Sequence, residues 1–263
     1  MPNSALHVAR TGLEAQDARM RVIANNLANI GTAGFKRDRA DFATLAYQEQ
    51  RVAGQQSTNQ TAYAVGLNLG TGVAVVGTSR IETQGTLNQT GNTFDLALDG
   101  PGYIQVELPP GGQLAFTRAG NFTISPQGNL ITGQGFTVTP PIQIPQGSQN
   151  VTISPDGTVS ALQPGQAVPV QLGQLQVANF VNPSGLRQIG DNFLVETAAS
   201  GPVELGIAGQ FGRGQIRQGM LEGSNVNVVE ELVEMIEAQR AYEINSKMVS
   251  SVDEMLRNAN QTL

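Results

Sequence analysis

Hydrophobic positions recur every seven residues at both ends of the chain and every second residue in its middle. Leu6, Leu13, Met20 and Leu27 are seven apart, and Ala9, Gln16, Ile23 and Ile30 fall three later in each heptad. This is an a/d seam with one polar break at Gln16. Asn3 or Ser4 can cap the start of the predicted helix, and Gly31 and Gly34 end it. At about 27 residues such a helix is about 40 Å long. The other end has the same character. Val228, Met235, Tyr242, Val249, Leu256 and Leu263 are again seven apart, while Ala238, Val252 and Ala259 partly fill a second line that Asn245 interrupts. Asn227-Val228-Val229-Glu230 has the spacing of a capping box, and the early glutamates suit the positive end of the helix dipole.

Between the ends the period changes to two. Leu96–Leu98, Tyr103–Val106, Phe122–Ile124, Leu130–Ile131, Val151–Ile153, Gln174–Val177 and Asn192–Val195 read as strands. Ser125-Pro126-Gln127-Gly128 and Ser154-Pro155-Asp156-Gly157 both fit a type I turn. Each follows an isoleucine and precedes a polar–aliphatic pair, so two similar hairpins are expected about one short repeat apart. The segment from Gln48 to Gly72 is different again. It is rich in Gln, Thr and Gly, and on composition alone it reads as a flexible connector.

The expected fold class is therefore α+β. Both termini supply a discontinuous α-helical coiled-coil domain, into which a mainly antiparallel β-domain is inserted. The expected boundaries are 1–34 with 225–263 for the helices, 35–75 with 210–224 for an extended connecting region, and 76–209 for the β-domain. The helical seam residues are candidates for an assembly interface.

Composition narrows the chemistry. Aromatics are 5% of the 263 residues, with no Trp, so the core must be largely aliphatic. Charged residues are 14%, against about 25% in typical globular domains. The net charge is −6 and there are two lysines, Lys36 and Lys247, so no basic stripe invites nucleic acid. There is no Cys and one His, which removes thiol chemistry and sites needing two histidines. Asp95 and Asp99 share one strand face about 13 Å apart, too far for a glycosidase pair. The glycine-rich runs 70–72 and 209–214 lack dinucleotide-loop spacing and a phosphate-binding lysine. No catalytic residue, cofactor or metal is expected. Arg10, Arg19 and Arg21 near one end face Glu230, Glu231, Glu234 and Glu237 near the other in sign. They are either two solvated faces or faces that meet. The first ten residues lack the charge-then-apolar pattern of a cleavable secretory signal.

Longer motifs resemble a known family. Ala24-Asn25-Asn26-Leu27-Ala28-Asn29 followed by Thr32-Ala33-Gly34-Phe35-Lys36 is similar to the N-terminal signature of the flagellar rod and hook family. Glu237-Ala238-Gln239-Arg240-Ala241-Tyr242-Glu243-Ile244-Asn245 resembles its C-terminal helix. Residues 95–106 and Phe116-Thr117-Arg118-Ala119-Gly120-Asn121-Phe122 resemble the start of its β-domain. The stretch from Tyr47 through Gln55 and Gln56 to Gly66-Leu67-Asn68-Leu69-Gly70-Thr71-Gly72 is similar to one found in distal-rod members and lacking from typical hook subunits.

The resemblance implies a structural subunit of the bacterial flagellar basal body. It implies a helical homopolymer forming the distal rod, a periplasm-spanning shaft that passes motor torque to the hook. The implied partners are copies of itself, proximal rod proteins, hook protein, the P-ring and L-ring proteins, a rod cap and the flagellar type III export apparatus. Export through that apparatus would need no cleavable signal. It also implies that 47–72 is ordered in the assembly and stiffens it. The alternative within the family is a proximal rod or hook subunit.

Overall fold

The computed structural model describes residues 2–58, 61–109, 111–166 and 168–261. The chain forms two compact units. One comprises 1–27, 38–79 and 227–263; the other comprises 28–37 and 80–226.

The first unit is built on two long helices. Helix α1 spans Pro2–Ala28 and helix α2 spans Val228–Gln261. They pack antiparallel, because positions rising along α1 meet positions falling along α2. Gly12 lies against Asn245, Arg19 reaches Glu234 at 3.5 Å, and Asn26 reaches Glu231 at 3.2 Å. The meeting line is made of small side chains. Ala9, Ala15 and Ala238 are buried with Ile23, and a methyl group on Gly12 would lie 3.1 Å from the Asn245 amide. Small residues let the two backbones approach, so the Leu line of α1 sits half-buried beside the contact. Asn227 caps α2, its Oδ1 accepting the Val229 N–H at 3.1 Å. That satisfies one of the donors a helix start leaves open.

The segment from Asp38 to Arg80 completes this unit as paired strands. Asp38–Thr44 pairs with Val73–Arg80, Gln48–Arg51 with Leu67–Leu69, and Gln56–Thr58 with Thr61–Ala62. Further bonds bridge the gaps, from Leu45 N–H to Gly72 O at 3.0 Å and from Gly54 N–H to Tyr63 O at 2.8 Å. The Arg51 guanidinium lies 4.2 Å from the Tyr63 ring centre. The reading of 48–72 as a flexible connector is therefore corrected. Gln and Thr are compatible with a two-stranded ladder, whose backbone bonds do not depend on apolar side chains.

The second unit holds a nine-stranded sheet. Its main path runs Phe122–Ile124, Leu130–Thr132, Thr137–Val138, Tyr103–Leu108, Gln113–Thr117, Phe193–Val195, Arg187–Gly190; Gln176–Asn179 branches from Tyr103–Leu108 and pairs in turn with Glu204–Ile207. The pairings are antiparallel. A three-stranded sheet, Gln149–Ile153, Thr158–Leu162 and Val170–Gln174, adds to it. Outgoing and returning chain also pair: Leu96–Asp99 with Gln215–Gln218, and Leu87–Gln89 with Met220–Glu222. The core is aliphatic, with Leu96, Ile104, Val106, Val159, Val177 and Ile216 buried around Phe122. The few aromatics are used together. Phe180 meets Phe116 edge-on at 4.8 Å and Tyr103 at 6.0 Å, geometry worth about 0.5–1.5 kcal/mol per pair beyond area.

The two Ser-Pro turns are a structural repeat. Gly128 and Gly157 each close the turn by donating to the serine carbonyl, at 2.8 and 2.9 Å. The carbonyl of each glycine then accepts a later aliphatic N–H at 2.8 Å, from Ile144 and from Leu175. The glutamine before each aliphatic, Gln143 or Gln174, donates to the carbonyl before the glycine at 3.3 Å. Both glycines have φ near +87°, and a Cβ on either would come within 2.4 Å of that aliphatic carbonyl oxygen. Glycine is required twice for one reason.

Asp95 and Asp99 have structural roles. Asp95 is buried and accepts Thr90 Oγ1 at 2.6 Å and Asn92 Nδ2 at 3.1 Å, while Asp99 pairs with Arg217 at 3.1 Å. Asp95 is thus a turn anchor.

Candidate assembly interface

On α1, Leu6, Leu13, Met20 and Leu27 are half-buried and Ile23 is buried. Ile30 lies past the helix end and is exposed. On α2, Met235, Val249 and Val252 are half-buried, whereas Val228 and Tyr242 are exposed. Leu256 lies on α2, and Leu263 lies outside the described residues. The centre of the α1 contact is the second heptad line, Glu231, Ala238 and Asn245. Large side chains mark a seam in sequence, but close packing here favours the smallest.

Helix α2 also carries apolar residues away from that contact. Val229, Leu232, Val233, Ile236, Ile244 and Met248 are 43–70% exposed. At 100° per residue they cluster on the side opposite Glu231, Ala238 and Asn245. A helix apolar on two opposite faces belongs in a fully packed environment. One face is covered by α1; the other is exposed among the described residues.

Part of the signature gathers at two buried nodes. The first, in the helical unit, is Asn26, which is 1% exposed. Its Oδ1 accepts the Asp38 N–H at 2.9 Å, and its Nδ2 donates to Asp38 O at 2.9 Å and to Glu231 Oε2 at 3.2 Å. The side chain acts as one rung of a ladder with the Asp38 backbone while reaching α2. Asn25 is exposed, as are Gln239 and Arg240 on α2. The root of the hairpin is set about four turns earlier on α1, at Thr11. The Val73 N–H donates to Thr11 Oγ1 at 3.4 Å, and a Cβ on Gly72 would collide with that hydroxyl. Gly66 sits against the Arg51 carbonyl and Gly70 against the Tyr47 ring. Tyr47, Gln55, Gln56 and Leu69 are exposed.

The second node, in the β-unit, is Glu222, which is 1% exposed. Its Oε1 accepts Lys36 Nζ at 2.6 Å and the Gly85 N–H at 3.0 Å; its Oε2 accepts Arg118 Nη1 at 2.9 Å. Lys36 also donates to Thr83 O at 2.7 Å, and Arg118 to Gly100 O and Gly102 O at 2.6 and 3.0 Å. Gly34 donates to Glu222 O at 2.8 Å, and a Cβ there would lie 2.5 Å from the Arg118 carbonyl carbon. Gly34 has φ +69°, so both its backbone and its space demand glycine. Asn225 finishes the clasp, accepting the Arg37 N–H at 2.7 Å and donating to Ile81 O at 2.8 Å. Asn29 and Thr32 close the turn before it, with Thr32 N–H on Asn29 O at 3.1 Å, and Phe35 is buried. Incoming chain, sheet and outgoing chain are thereby tied at one carboxylate. Glu222 and Asn225 were not singled out from the sequence. A lone glutamate in a polar return segment carries no pattern, and its partners lie 186 and 104 residues away.

Electrostatics follow from this burial. Desolvation holds the Lys36 pKa below its ordinary value, helped by the Arg118 charge and opposed by Glu222. Desolvation raises the Tyr103 phenol, and the nearby Glu82 carboxylate, which accepts its hydroxyl at 2.7 Å, adds to the rise. The opposed charges at the helices divide between the two readings. Arg19 meets Glu234 and Glu237 across the pair, while Arg10 and Arg21 pair along α1 with Glu14 and Asp17. Among the described residues no group of three His, Cys, Asp or Glu side chains is placed to hold a metal.

Residues 6–36 match the flagella basal body rod protein family, 97–161 the flagellar hook protein FlgE/F/G D1 domain, and 217–262 the flagellar basal body rod FlgEFG protein C-terminal family. The flagellar basal-body rod protein FlgG of Buchnera aphidicola subsp. Acyrthosiphon pisum is 50% identical over 98% of both chains. FlgG of Caulobacter vibrioides is 45% identical over 98% of both, whereas FlgF of the same organism is 33% identical over 99% of this chain and 98% of its own. These matches carry both helices, the clasp segments and the start of the sheet, and the chain belongs to the flagellar basal-body rod protein family, with the FlgG proteins.

Proposed function

We propose that the protein is a non-catalytic structural subunit that polymerises through its terminal helices into the distal rod of the flagellum. Family membership supports a structural role, self-assembly and a place in the flagellum. The observation that carries the polymer reading is the second apolar face of α2, which is exposed among the described residues. Burying it against neighbouring copies removes apolar surface from water at about 25 cal/mol per Å². The half-buried seam residues Leu6, Leu13, Met20, Met235 and Val249 border the same helices and would be covered with it. Proximal rod proteins, hook protein, P-ring and L-ring proteins and a rod cap are the proposed neighbours. Export through the flagellar type III apparatus is the proposed route.

Charge placed on the outer face of α2 tests this. Val233→Asp and Ile236→Asp change exposed residues and should leave the subunit's melting temperature within a degree or two. Both should abolish sedimentable rod. Normal rods from both variants would remove the helical face from the interface.

A further inference from the structure

Phe211 combines two unfavourable features in one residue. It is 90% exposed and its φ is +51°. It occupies the first central position of a tight turn closed by the Arg213 N–H on Gln210 O at 3.0 Å, followed by Gly212 at φ +78°. Positive φ at both central positions defines a turn in which Asn, Asp or Gly is favoured at the first. Phenylalanine is strained there, because a side chain in the left-handed region crowds the backbone. The surrounding loop is firmly held. Gly209 N–H bonds Gly214 O at 3.0 Å, and Gly214 N–H bonds Pro101 O at 2.7 Å. The Arg213 guanidinium lies over Gly206. A rigid loop thus presents a benzyl group to water in a backbone state that disfavours it. Strain of this kind in one exposed residue points to a function.

The same unit has a cavity of about 320 Å³ whose walls include Pro101, Tyr103, Arg118, Asn179 and Pro183. Glu82, which holds the Tyr103 hydroxyl, and Gln84 also line it, so the part that suits an aromatic ring is the proline and tyrosine wall with the Arg118 guanidinium. The cavity borders the loop through Pro101, yet the chain's own Phe211 remains exposed.

We infer that Phe211 is an assembly knob that inserts into the Pro101–Tyr103–Pro183 cavity of a second copy of this chain. This rests on the polymer reading above and adds a contact between β-units to it. Where each copy gives its knob to one neighbour and takes the knob of another in its cavity, the contact is head-to-tail, unlike a reciprocal pair in which two copies exchange knobs. Such contacts propagate rather than close when their rotation does not return to the start, which is the requirement for a helical filament.

The absence of cysteine makes the test clean. Phe211→Cys and Asn179→Cys are introduced together in the full-length chain, basal bodies are isolated, and a short bismaleimide is added. The inference predicts a ladder of covalent multimers from the double variant and monomers from each single variant. Incorporation into rods without a ladder overturns the inference while leaving the rod reading intact. Absence of the wild-type chain from basal bodies overturns the rod reading itself. Phe211→Gly supplies an independent decision should the double variant not incorporate. Relief of the turn should raise the soluble subunit's melting temperature by about 2–4 °C, while rod yield falls at least tenfold. A higher melting temperature with unchanged rod yield, or an unchanged melting temperature, contradicts the inference.

Discussion

Asn26 and Glu231 lie 205 residues apart in sequence, yet their side chains meet at 3.2 Å in a buried hydrogen bond between the two terminal helices. The same Asn26 amide pairs with both backbone groups of Asp38. One carboxamide therefore sets three things: the register of α2 on α1, the exit of chain from α1, and the start of the first strand. Leucine has the same number and branching of side-chain heavy atoms but cannot make these bonds. Asn26→Leu should destabilise the helical unit by about 2–4 kcal/mol, since each buried polar group left without a partner costs about 1–3 kcal/mol. Hydrogen exchange of α1 amides checks this, and unaltered protection would contradict it.

Glu222 is a second buried tie, and removing it is a different experiment. Glu222→Leu leaves Lys36 and Arg118 side by side in a dry site. Removing one partner of a buried ion pair costs about 3–5 kcal/mol. The triple change Lys36→Met, Arg118→Met, Glu222→Leu should recover part of that loss, because no charge remains buried. Denaturant unfolding of the three-step series reads the recovery directly.

Alkaline pH should act through Tyr103. Its pKa is raised above the ordinary 10.0 by burial and by Glu82. The unfolded chain then releases this proton first, so folded-state stability from this group is complete below pH 10 and is lost as pH rises above it. Lys36 works in the opposite sense. Its folded pKa is lowered below 10.5, so the penalty of keeping it charged is relieved as pH rises toward that value. Tyr103→Phe should flatten the decline above pH 10 and uncover the Lys36 rise. A melting-temperature profile from pH 8 to 11 that is the same for both proteins would contradict the assignment.

The repeated turns give a paired prediction. Gly128→Ala and Gly157→Ala should each destabilise the β-unit by about 1–3 kcal/mol, since both meet a carbonyl oxygen at a positive φ. The two losses should agree within about 1 kcal/mol. Urea unfolding of the single variants measures both, and a large loss at one position with none at the other would break the equivalence of the two turns.

Particular residues show what the sequence made legible. Heptads marked the terminal helices, and the Asn227 cap and both Ser-Pro turns were readable because each is local chemistry. The fold class followed from the change of period between Ile30 and Leu96. The interhelical contact was harder. Leu13 and Tyr242 dominate a hydrophobic pattern by size, whereas Gly12 and Ala238 make the close approach. The hairpin at 48–69 was hidden because strand pairing leaves no mark in a Gln- and Thr-rich segment. Lys36, Arg118 and Glu222 converge only through the tertiary fold, so no spacing announces them.

The most direct measurement is electron microscopy of basal bodies from a strain lacking this protein. The expected result is a truncated rod that carries no hook and no outer rings, restored when the gene is returned. A complete rod with its rings but no hook would instead make the protein a hook-type subunit, and normal motile flagella would contradict the account altogether.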